Sequence, residues 1–451
     1  MQHSWFIAAS TLLFMDFCRA KPSIHPSSWT LAATGDIIGD VVATDDPRTL
    51  AIWNITKAAD FSFFNMEGQI LDEKHFDGYP ASENGADNAY GGIGGGPTYP
   101  LYQAIFLAKQ GFNLASHANN HAWDYDLVGM KTTHRNLAKA GIKFSGSGLS
   151  LQEARRAVYI ERNGNKLALV SAAGTHTPQS VAGPGDSEEN LNPRPGVSAL
   201  RANLVTVVNK KSFDVIRDIA LAQGQALTGQ ETDITLYTGQ TPMDWSNWRL
   251  GGEGDASLDW DINADDYNGI LDSIREAKRH VKTAIFSLHA HESASGADDS
   301  VIPLPYAATV PASYTQNISH GAIDAGADVV LVHGPHHLRG IEIYKSRPIF
   351  YGLGSLTYSL GLHFRGYDLP IEWDDGIIAE TLFKNDRPVE IVLHPTVHNQ
   401  LTNDTSLPDR TMPKIAPKAE AARILEHLQN TSTQFKTKIV VKDGKGYLKV
   451  A

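Results

Sequence analysis

The sequence predicts an α/β protein in which strands and helices alternate along the chain. Short apolar runs of the length of buried strands recur, and stretches with helical periodicity lie between them. Most of these runs end in polar or glycine-rich residues, as in sheets that bind ligands at the carboxyl ends of their strands. The predicted strands span residues 29–33, 61–66, 112–116, 166–172, 283–288 and 329–332, and the predicted helices span 101–110, 127–140, 205–223, 267–281 and 313–325.

The composition indicates a globular protein and excludes some classes of partner. The chain has 451 residues, 42% of them hydrophobic, which is enough for one large or two ordinary domains with a substantial core. Its formal net charge is -11, whereas binding to nucleic acid or to an anionic membrane normally needs a basic face. No later apolar run reaches the roughly 18 residues of a membrane helix. We therefore expect no nucleic-acid partner and no integral membrane segment.

Residues 1–20 are predicted to be a cleaved secretion signal. Residues 5–17 are mostly apolar, are too short to span a bilayer, and lead into a small-x-small pattern suited to cleavage after Ala20. The alternative is a buried first helix, since Asp16 interrupts the apolar run. Cleavage would remove Cys18, the only cysteine, and would leave no disulfide and no thiolate metal ligand.

A secreted glycoprotein is also consistent with four N-x-S/T sequons, at Asn54, Asn317, Asn403 and Asn430. We expect the main domain to span residues 21–400 and a C-terminal extension, 401–451, to pack on it. The extension is predicted to hold a helix over 417–429 and a final strand over 438–450. Within the main domain, segments near 182–201 and 238–262 are rich in Gly, Pro, Asp or Trp and are predicted insertions. The tryptophans of the second insertion either line a substrate cleft or pack within the insertion (Trp245, Trp248 and Trp260).

The segment from Leu114 to Asp124 places two histidines, two amides and a carboxylate directly after a short apolar strand. This composition suits neither a solvated loop nor a core. One interpretation makes Asn119 or Asn120 the N-cap of the following helix. The other makes the segment part of a metal site. Comparison with the other strand ends favours the metal site.

The other predicted strand ends carry the same kinds of side chain, all of them oxygen or imidazole donors. Such a mixed set suits zinc, manganese, iron or magnesium. His289 and His291 alternate, so they share one face of an extended segment. Taken singly, two of these residues have an alternative to metal binding. Asp36 could cap a turn, and Glu67 could be a solvated strand end. The predicted metal ligands are Asp36, Glu67, Asn120, His289, His291, His333 and His336, whereas His117 and His337 are expected to be bystanders and His320 to be structural.

Several ordered motifs resemble the CapA-type poly-γ-glutamate capsule synthesis family, which is similar to the calcineurin-type metallophosphoesterases. The resemblance covers roughly residues 30–360. The motifs are Gly35-Asp36, Asn65-Met66-Glu67, the run from Asn119 to Tyr125 with the later Gly141-Ile142 and Gly146-Ser147-Gly148, and the stretches from Ala325 to His336 and from Ile341 to Ser355.

The resemblance implies a four-layer α/β/β/α sandwich with a divalent metal centre at its strand ends. It further implies that Asn120 is a ligand and that His121 is the catalytic acid or charge stabiliser at the leaving group. This chain departs from the superfamily at Ile38, where a histidine is usual, and at Ala290-His291, where the capsule family often has Trp-Gly. Whether the centre holds one ion or two therefore stays open.

The predicted chemistry is hydrolysis by metal-activated water, with His121 passing a proton to the leaving group. The donors fit an amide or γ-glutamyl bond as well as a phosphoester, and the family association favours a small-molecule or polyamide substrate. Two alternatives remain. One is a non-catalytic capsule-polymer binding or assembly protein with a residual metal site, and the other is a tailoring hydrolase for a small amide or lactone.

Overall fold

A computed structural model describes residues 28–39, 41, 43–72, 75–77, 97–237, 239, 245–252, 254, 256–296, 309–358, 371–398 and 412–450. The predicted secretion signal, most of a glycine-rich segment at 81–100 and the sequon at Asn403 lie outside these residues. The predicted α/β class is confirmed, because the described residues form several mixed sheets and eight α-helices.

The first twelve strands are β1 (Ser28–Ile38), β2 (Phe61–Met66), β3 (Gln69–Ile70), β4 (Thr98–Tyr99), β5 (Leu114–Ser116), β6 (Lys143–Ser145), β7 (Ser147–Gly148), β8 (Val158–Arg162), β9 (Asn165–Ala173), β10 (Gly196–Val197), β11 (Ala202–Val208) and β12 (Asp233–Tyr237). The others are β13 (Trp245–Leu250), β14 (Ser257–Ile262), β15 (Thr283–His289), β16 (Val329–His333), β17 (Ile341–Tyr344), β18 (Arg347–Phe350), β19 (Ser355–Tyr358), β20 (Asp375–Lys384), β21 (Arg387–Val397), β22 (Lys414–Ile415), β23 (Val440–Lys442) and β24 (Lys445–Lys449).

The helices are α1 (Pro47–Ala58), α2 (Gln103–Lys109), α3 (Asp126–Lys139), α4 (Leu151–Arg155), α5 (Lys210–Ala222), α6 (Ala264–His280), α7 (Ser313–Asp324) and α8 (Lys418–Ser432). In the described part of the chain, no helix is long and apolar enough to cross a membrane. The three described sequon asparagines, Asn54, Asn317 and Asn430, are all exposed on helices.

Two large sheets contain most of the strands. The first has ten strands, with β23-β24-β21-β20-β1-β2-β5-β6 in order and with β19 and β22 beside β1 and β21. The second has six strands in the order β17-β18-β16-β15-β9-β8. The pairs β1–β2, β2–β5, β9–β15 and β15–β16 are parallel, so the carboxyl ends of these strands lie along one edge of each sheet.

Alternating side chains of the buried strands divide the core into three clusters. Inward residues of both large sheets, such as Phe63 and Leu169, share one cluster with helix α8. The neighbouring residue Phe64 points the other way, toward α1, α2 and α3. Val170 of the second sheet similarly faces α6 and α7. A strand that is covered on both faces has apolar side chains at nearly every position. Such strands could therefore be predicted from continuous apolar runs in the sequence.

The prediction of one helix over 205–223 is wrong in its first four residues. Val205 to Val208 belong to β11, because β-branched side chains are favoured in a pleated strand. The helix begins only after Asn209, whose side chain accepts a hydrogen bond from the backbone N–H of Ser212.

The predicted insertion at 238–262 contributes strands to a separate four-stranded sheet, in the order β12-β13-β11-β14. Trp248 packs with the buried face of α5, and Trp260 lies 5.1 Å from the ring of Tyr314. Trp245, which is 40% exposed, lies 5.2 Å from Tyr237. All three tryptophans therefore have packing partners within or beside this sheet.

The C-terminal residues contact the first large sheet. Strand β22 pairs with the end of β21, strand β24 pairs with its middle, and β23 forms the sheet edge. Ile424, Leu425 and Leu428 of α8 belong to the cluster that contains residues of both large sheets. The final strand predicted over 438–450 is instead a hairpin, because Asp443 and Gly444 adopt positive φ angles of 51° and 73° that suit a tight turn.

The buried ring of His134 should make the stability of the protein depend on pH. Its Nε2 lies 2.7 Å from Ser147 Oγ, and its ring packs against Phe144 at 4.4 Å. Burial lowers the pKa of His134 to about 4. The unfolded chain takes up this proton near pH 6.5, so the free energy of unfolding should fall as the pH drops from 6.5 toward 4. We expect a loss of about 2 kcal/mol in the free energy of unfolding. This is less than the pKa shift alone would give, because the ring is partly exposed to solvent.

Urea unfolding at several pH values, in the presence of a metal chelator, measures this loss. His134→Gln can keep the hydrogen bond to Ser147 and cannot titrate, so its stability should depend less steeply on pH than that of the wild type. If the free energy of unfolding depends on pH equally in the two proteins, His134 is not the source of this pH dependence.

Candidate metal centre

The predicted metal ligands come together where the carboxyl ends of the parallel strands meet. Strand pairing places Asp36 opposite Asn65 in the first sheet and His289 opposite His333 in the second. Glu67 directly follows β2, and Asn120 lies in the loop after β5. All seven predicted ligands are buried, and six of them form overlapping groups of possible metal ligands.

Two glycines allow this close approach. A Cβ atom at Gly35 would lie 1.7 Å from the carbonyl oxygen of Gly354. A Cβ at Gly334, where φ is +114°, would lie 2.7 Å from the ring of His291 and 2.9 Å from that of His289. Any larger residue at either position would push apart the segments that carry the donors.

The carboxylates of Asp36 and Glu67 are joined by one amide group. Asn65 Nδ2 donates to Asp36 Oδ1 at 2.8 Å and to Glu67 Oε2 at 3.1 Å. The other Asp36 oxygen, Oδ2, accepts from the Gly334 backbone N–H at 3.1 Å and lies 3.1 Å from His336 Nδ1. Asp36 therefore connects the first sheet with the loop that follows β16.

The imidazole nitrogens crowd around His289. Its Nδ1 lies 3.2 Å from His333 Nδ1, and its Nε2 lies 2.9 Å from His291 Nε2. Asn120 Oδ1 is 2.8 Å from the same His289 Nε2. Donor atoms about 2.1 Å from one ion stand about 3.4 Å apart in a tetrahedral shell and about 3.0 Å apart in an octahedral one, so these separations are close to those of a ligand shell.

The donor atoms form three triads, in each of which all the ligand atoms lie within 4.8 Å of one another: Asp36 with His289 and His333, Glu67 with His289 and His291, and Asp36 with Glu67 and His336. Among the described residues, Glu67 Oε1 is buried without a hydrogen-bond partner. An unsatisfied buried carboxylate oxygen is costly, and a bound cation would satisfy it. The residues thus fit a divalent ion.

The electrostatics of the cluster also suit a cation. Burial by itself would raise the pKa of Asp36, but the hydrogen bond and charge of His336 and the charge of His333 lower it to about 2. Burial and the nearby Asp36 raise the pKa of Glu67. Burial lowers the pKa of His333 to about 4 and also lowers that of His289. Burial also lowers the pKa of His336, so His289, His333 and His336 favour the uncharged form, which has a lone pair available for a metal.

His121 lies beside this cluster and is held by Asp124. Its Nδ1 is 2.6 Å from Asp124 Oδ2, and both side chains are buried. Asn119 fixes the loop, because it donates to Asn65 Oδ1 at 3.1 Å and to the Met66 carbonyl at 2.8 Å, and its own oxygen accepts from the His121 backbone N–H at 3.1 Å. The interpretation of Asn119 or Asn120 as a helix cap is wrong, since α3 follows Tyr125, which makes no side-chain cap.

The expected bystanders have other polar contacts. His117 Nδ1 lies 2.8 Å from Ser147 Oγ, and His320 Nε2 lies 2.9 Å from Glu342 Oε2. His337 Nδ1 is 3.4 Å from the Leu338 carbonyl oxygen. None of these histidines belongs to the three ligand triads.

Sequence reasoning gave no role to several residues that support the donors. Asn65 is part of a sequence motif with no predicted role, yet its amide bridges the carboxylates of Asp36 and Glu67. Ser287 Oγ lies 2.7 Å from His333 Nε2, and the ring of Trp373 lies 4.9 Å from that of His336. The position of Ser287, two residues before His289 and on the same face of β15, is the one sequence signal that could have found it.

A polar clamp holds the backbone around His291. The His291 N–H donates to Thr175 Oγ1 at 2.8 Å, and Thr175 in turn donates to Glu292 Oε2 at 2.8 Å. Tyr314 also donates to this carboxylate oxygen. The fully buried Arg339 donates to the His291 carbonyl and, at 3.1 Å, to the Glu292 carbonyl. These contacts fix the turn that presents His289 and His291 together.

Comparison with known proteins identifies the family. The family model described as "Bacterial capsule synthesis protein PGA_cap" matches residues 30–358. The chain therefore belongs to this family, and the resemblance found in the sequence motifs is confirmed.

The chain is also similar to individual proteins. It is 30% identical to the uncharacterized protein y4sH of Sinorhizobium fredii, across 94% of this chain and 93% of that protein. It is 27% identical to a probable polyglutamine synthesis accessory protein of Mycobacterium tuberculosis, across 53% of this chain and 43% of that protein. It is 22% identical to the PGA biosynthesis protein CapA of Bacillus subtilis, across 56% of this chain and 45% of that protein.

The clamp makes a prediction about metal affinity. Thr175→Val keeps the shape of the side chain but removes the hydroxyl that links His291 to Glu292, so zinc affinity should fall about 10- to 100-fold. Thr175→Ser keeps the hydroxyl and should retain most of the affinity. Calorimetric titration with zinc against a competing chelator measures both.

Thr206→Val, in the separate four-stranded sheet, is the matched control and should bind zinc as the wild type does. Equal affinity in Thr175→Val and the wild type would show that the clamp does not position the ligands.

Proposed function

We propose that this protein is a metal-dependent hydrolase. The observation that carries the proposal is the convergence of three buried ligand triads beside the His121–Asp124 pair. Structural ion pairs rarely need so many neutral imidazoles around two carboxylates, whereas a catalytic centre does. Asp36, Glu67, Asn120, His289, His291, His333 and His336 would hold one or two ions of zinc, manganese, iron or magnesium.

A bound divalent ion would polarise the scissile carbonyl or phosphoryl oxygen and would lower the pKa of a water molecule toward neutrality. The protein's own residues supply the remaining requirements. Asn65 keeps the two carboxylates in place without adding charge. Asp124 occupies Nδ1 of His121, so Nε2 is the nitrogen that can exchange a proton with the leaving group.

The substrate class follows by analogy from the relatives. One is named as a PGA biosynthesis protein and another as a probable polyglutamine synthesis accessory protein. We propose an amide or γ-glutamyl bond, in a small molecule or a polyamide, as the target. A phosphoester is the other bond that this set of donors would hydrolyse.

The same names favour one further candidate, a non-catalytic protein that binds or assembles the capsule polymer and keeps the metal for structure. The buried and well-oriented His121 supports the hydrolase, because a purely structural site needs no proton donor beside it. The two candidates differ in whether removing His121 changes a rate.

We further propose that the two large sheets and their helices form the four-layer α/β/β/α sandwich of the metallophosphoesterases. One core cluster shared by both sheets and two clusters between sheets and helices support this arrangement. In this proposal residues 21–400 form the domain, residues 401–451 extend it, and the chain is secreted as a glycoprotein after cleavage of residues 1–20.

The test combines metal analysis with kinetics. Purified wild-type protein should carry a stoichiometric divalent metal and should hydrolyse a γ-glutamyl anilide or an aryl phosphoester. Asp36→Ala should lose the metal, because it removes a carboxylate that belongs to two of the three ligand triads. His121→Ala should keep the metal and lose about 10²- to 10⁴-fold in kcat.

His280→Ala, at an exposed position near the end of α6, is the control and should retain full activity. The hydrolase proposal is rejected if the wild type carries no stoichiometric metal, or if Asp36→Ala and His121→Ala both match the wild-type rate on every substrate tested.

A further inference from the structure

A cleft of about 910 Å³ shares no residue with the metal centre. Residues of helix α1, helix α8, strands β21 and β22 and the β23–β24 hairpin line it. We refer to it as the C-terminal cleft. Its volume falls in the range of pockets that bind small molecules.

Apolar side chains line much of the C-terminal cleft, and the polar residues Asn54 and His394 line it as well. Ile55 of α1, Ala421 of α8 and Ile415 of β22 line it, together with Val441 of the hairpin. Val441 is 52% exposed, which is a high fraction for a valine beside a concave surface. Covering these side chains with an apolar ligand would remove them from water and is therefore favourable.

The rim of the cleft is basic. Lys418, Lys442 and Lys445 line it and are exposed, and Asp443 is the one acidic residue in its lining. Among the described residues, no carboxylate lies within ion-pair distance of these three lysines, although the hydrogen bond of His394 and, to a lesser degree, the charge of Lys445 lower the pKa of Glu380. Lys210 and Lys345 elsewhere pair with aspartates at 2.6 Å.

This basic rim contrasts with the rest of the chain. The protein as a whole carries 39 basic and 50 acidic residues. Between Met412 and Val450 it carries eight basic and three acidic residues. The positive charge is thus concentrated in the segment that builds the cleft, and a negatively charged group is its electrostatic complement.

We propose that the C-terminal cleft binds an amphipathic carboxylate, namely a long-chain fatty acid anion. The acyl chain would lie against the apolar side chains that line the cleft, and the carboxylate would lie at the rim near Lys442 and Lys445. These two lysines are opposite each other in the hairpin register, so both can approach one head group. The proposal is independent of the hydrolase proposal, because binding requires no metal.

The experiment is calorimetric titration of the metal-free full chain with dodecanoate. Decanoate and octanoate should bind progressively more weakly, by about fourfold for each methylene that leaves the cleft. Dodecanol, which lacks the charge, and dodecyltrimethylammonium, which has the opposite charge, should bind at least about tenfold more weakly than dodecanoate.

Two variants locate the site. Lys442→Glu with Lys445→Glu reverses the rim charge at exposed positions and should weaken dodecanoate binding about tenfold or more. Lys131→Glu with Lys139→Glu, at exposed positions on α3, makes the same change in net charge and should leave binding unaltered. Ala51→Trp should fill the cleft and abolish binding, while an unchanged melting temperature would show that it still folds.

Absence of dodecanoate binding would overturn the proposal. Equal affinity for dodecanol would also overturn it, because the basic rim would then play no part. The same applies if the α3 variant loses as much affinity as the hairpin variant, since binding would then follow net charge rather than the cleft.

Discussion

The carboxylate of Asp36 is fully buried and bonds to both large sheets at once. One oxygen accepts from Asn65 at the end of β2, and the other accepts from the Gly334 N–H after β16. A buried charge is tolerated only when it is paired and hydrogen-bonded, so both sheets must end at this point with the correct donors. Asp36 therefore fixes where the end of β2 and the loop after β16 meet, and these two segments carry Glu67 and His336.

The constraint explains the local sequence around the centre. Gly35 and Gly334 are required because backbone and imidazole rings occupy the space that a side chain would take. The buried histidines stay neutral, since protonating them in the interior is costly. A cation at the centre would balance the charge of Asp36 and satisfy the open oxygen of Glu67. Binding of such a cation would therefore also stabilise the folded protein.

The elements that sequence predicted well are those with a local signal. Buried strands such as β2 and β15 are continuous apolar runs, and α6 has clear helical periodicity, so their types followed from pattern alone. The sequence also indicated that these candidate ligands would lie near one another, because they lie at or shortly after the carboxyl ends of such strands. The prediction of a helix over 205–208 was wrong, because this segment pairs with β13 and β14 in a small separate sheet. Whether such a segment forms a strand depends on its neighbouring strands more than on the periodicity of its own sequence.

The supporting contacts had no such signal. Thr175 and Glu292 are separated by 117 positions in the chain and meet only in the folded protein. Nothing in either local sequence marks them as partners of His291. The C-terminal cleft also depends on tertiary packing, because α1 and the β23–β24 hairpin come from opposite ends of the chain.

Anomalous diffraction from a crystal grown with zinc or manganese would show whether these donors bind a divalent ion. We predict at least one anomalous peak at bonding distance, about 2.0–2.3 Å, from Asp36 and from at least two of the histidines His289, His333 and His336. Absence of any peak in this cluster at saturating metal, with the side chains still joined by direct hydrogen bonds, would show that these residues do not form a metal centre.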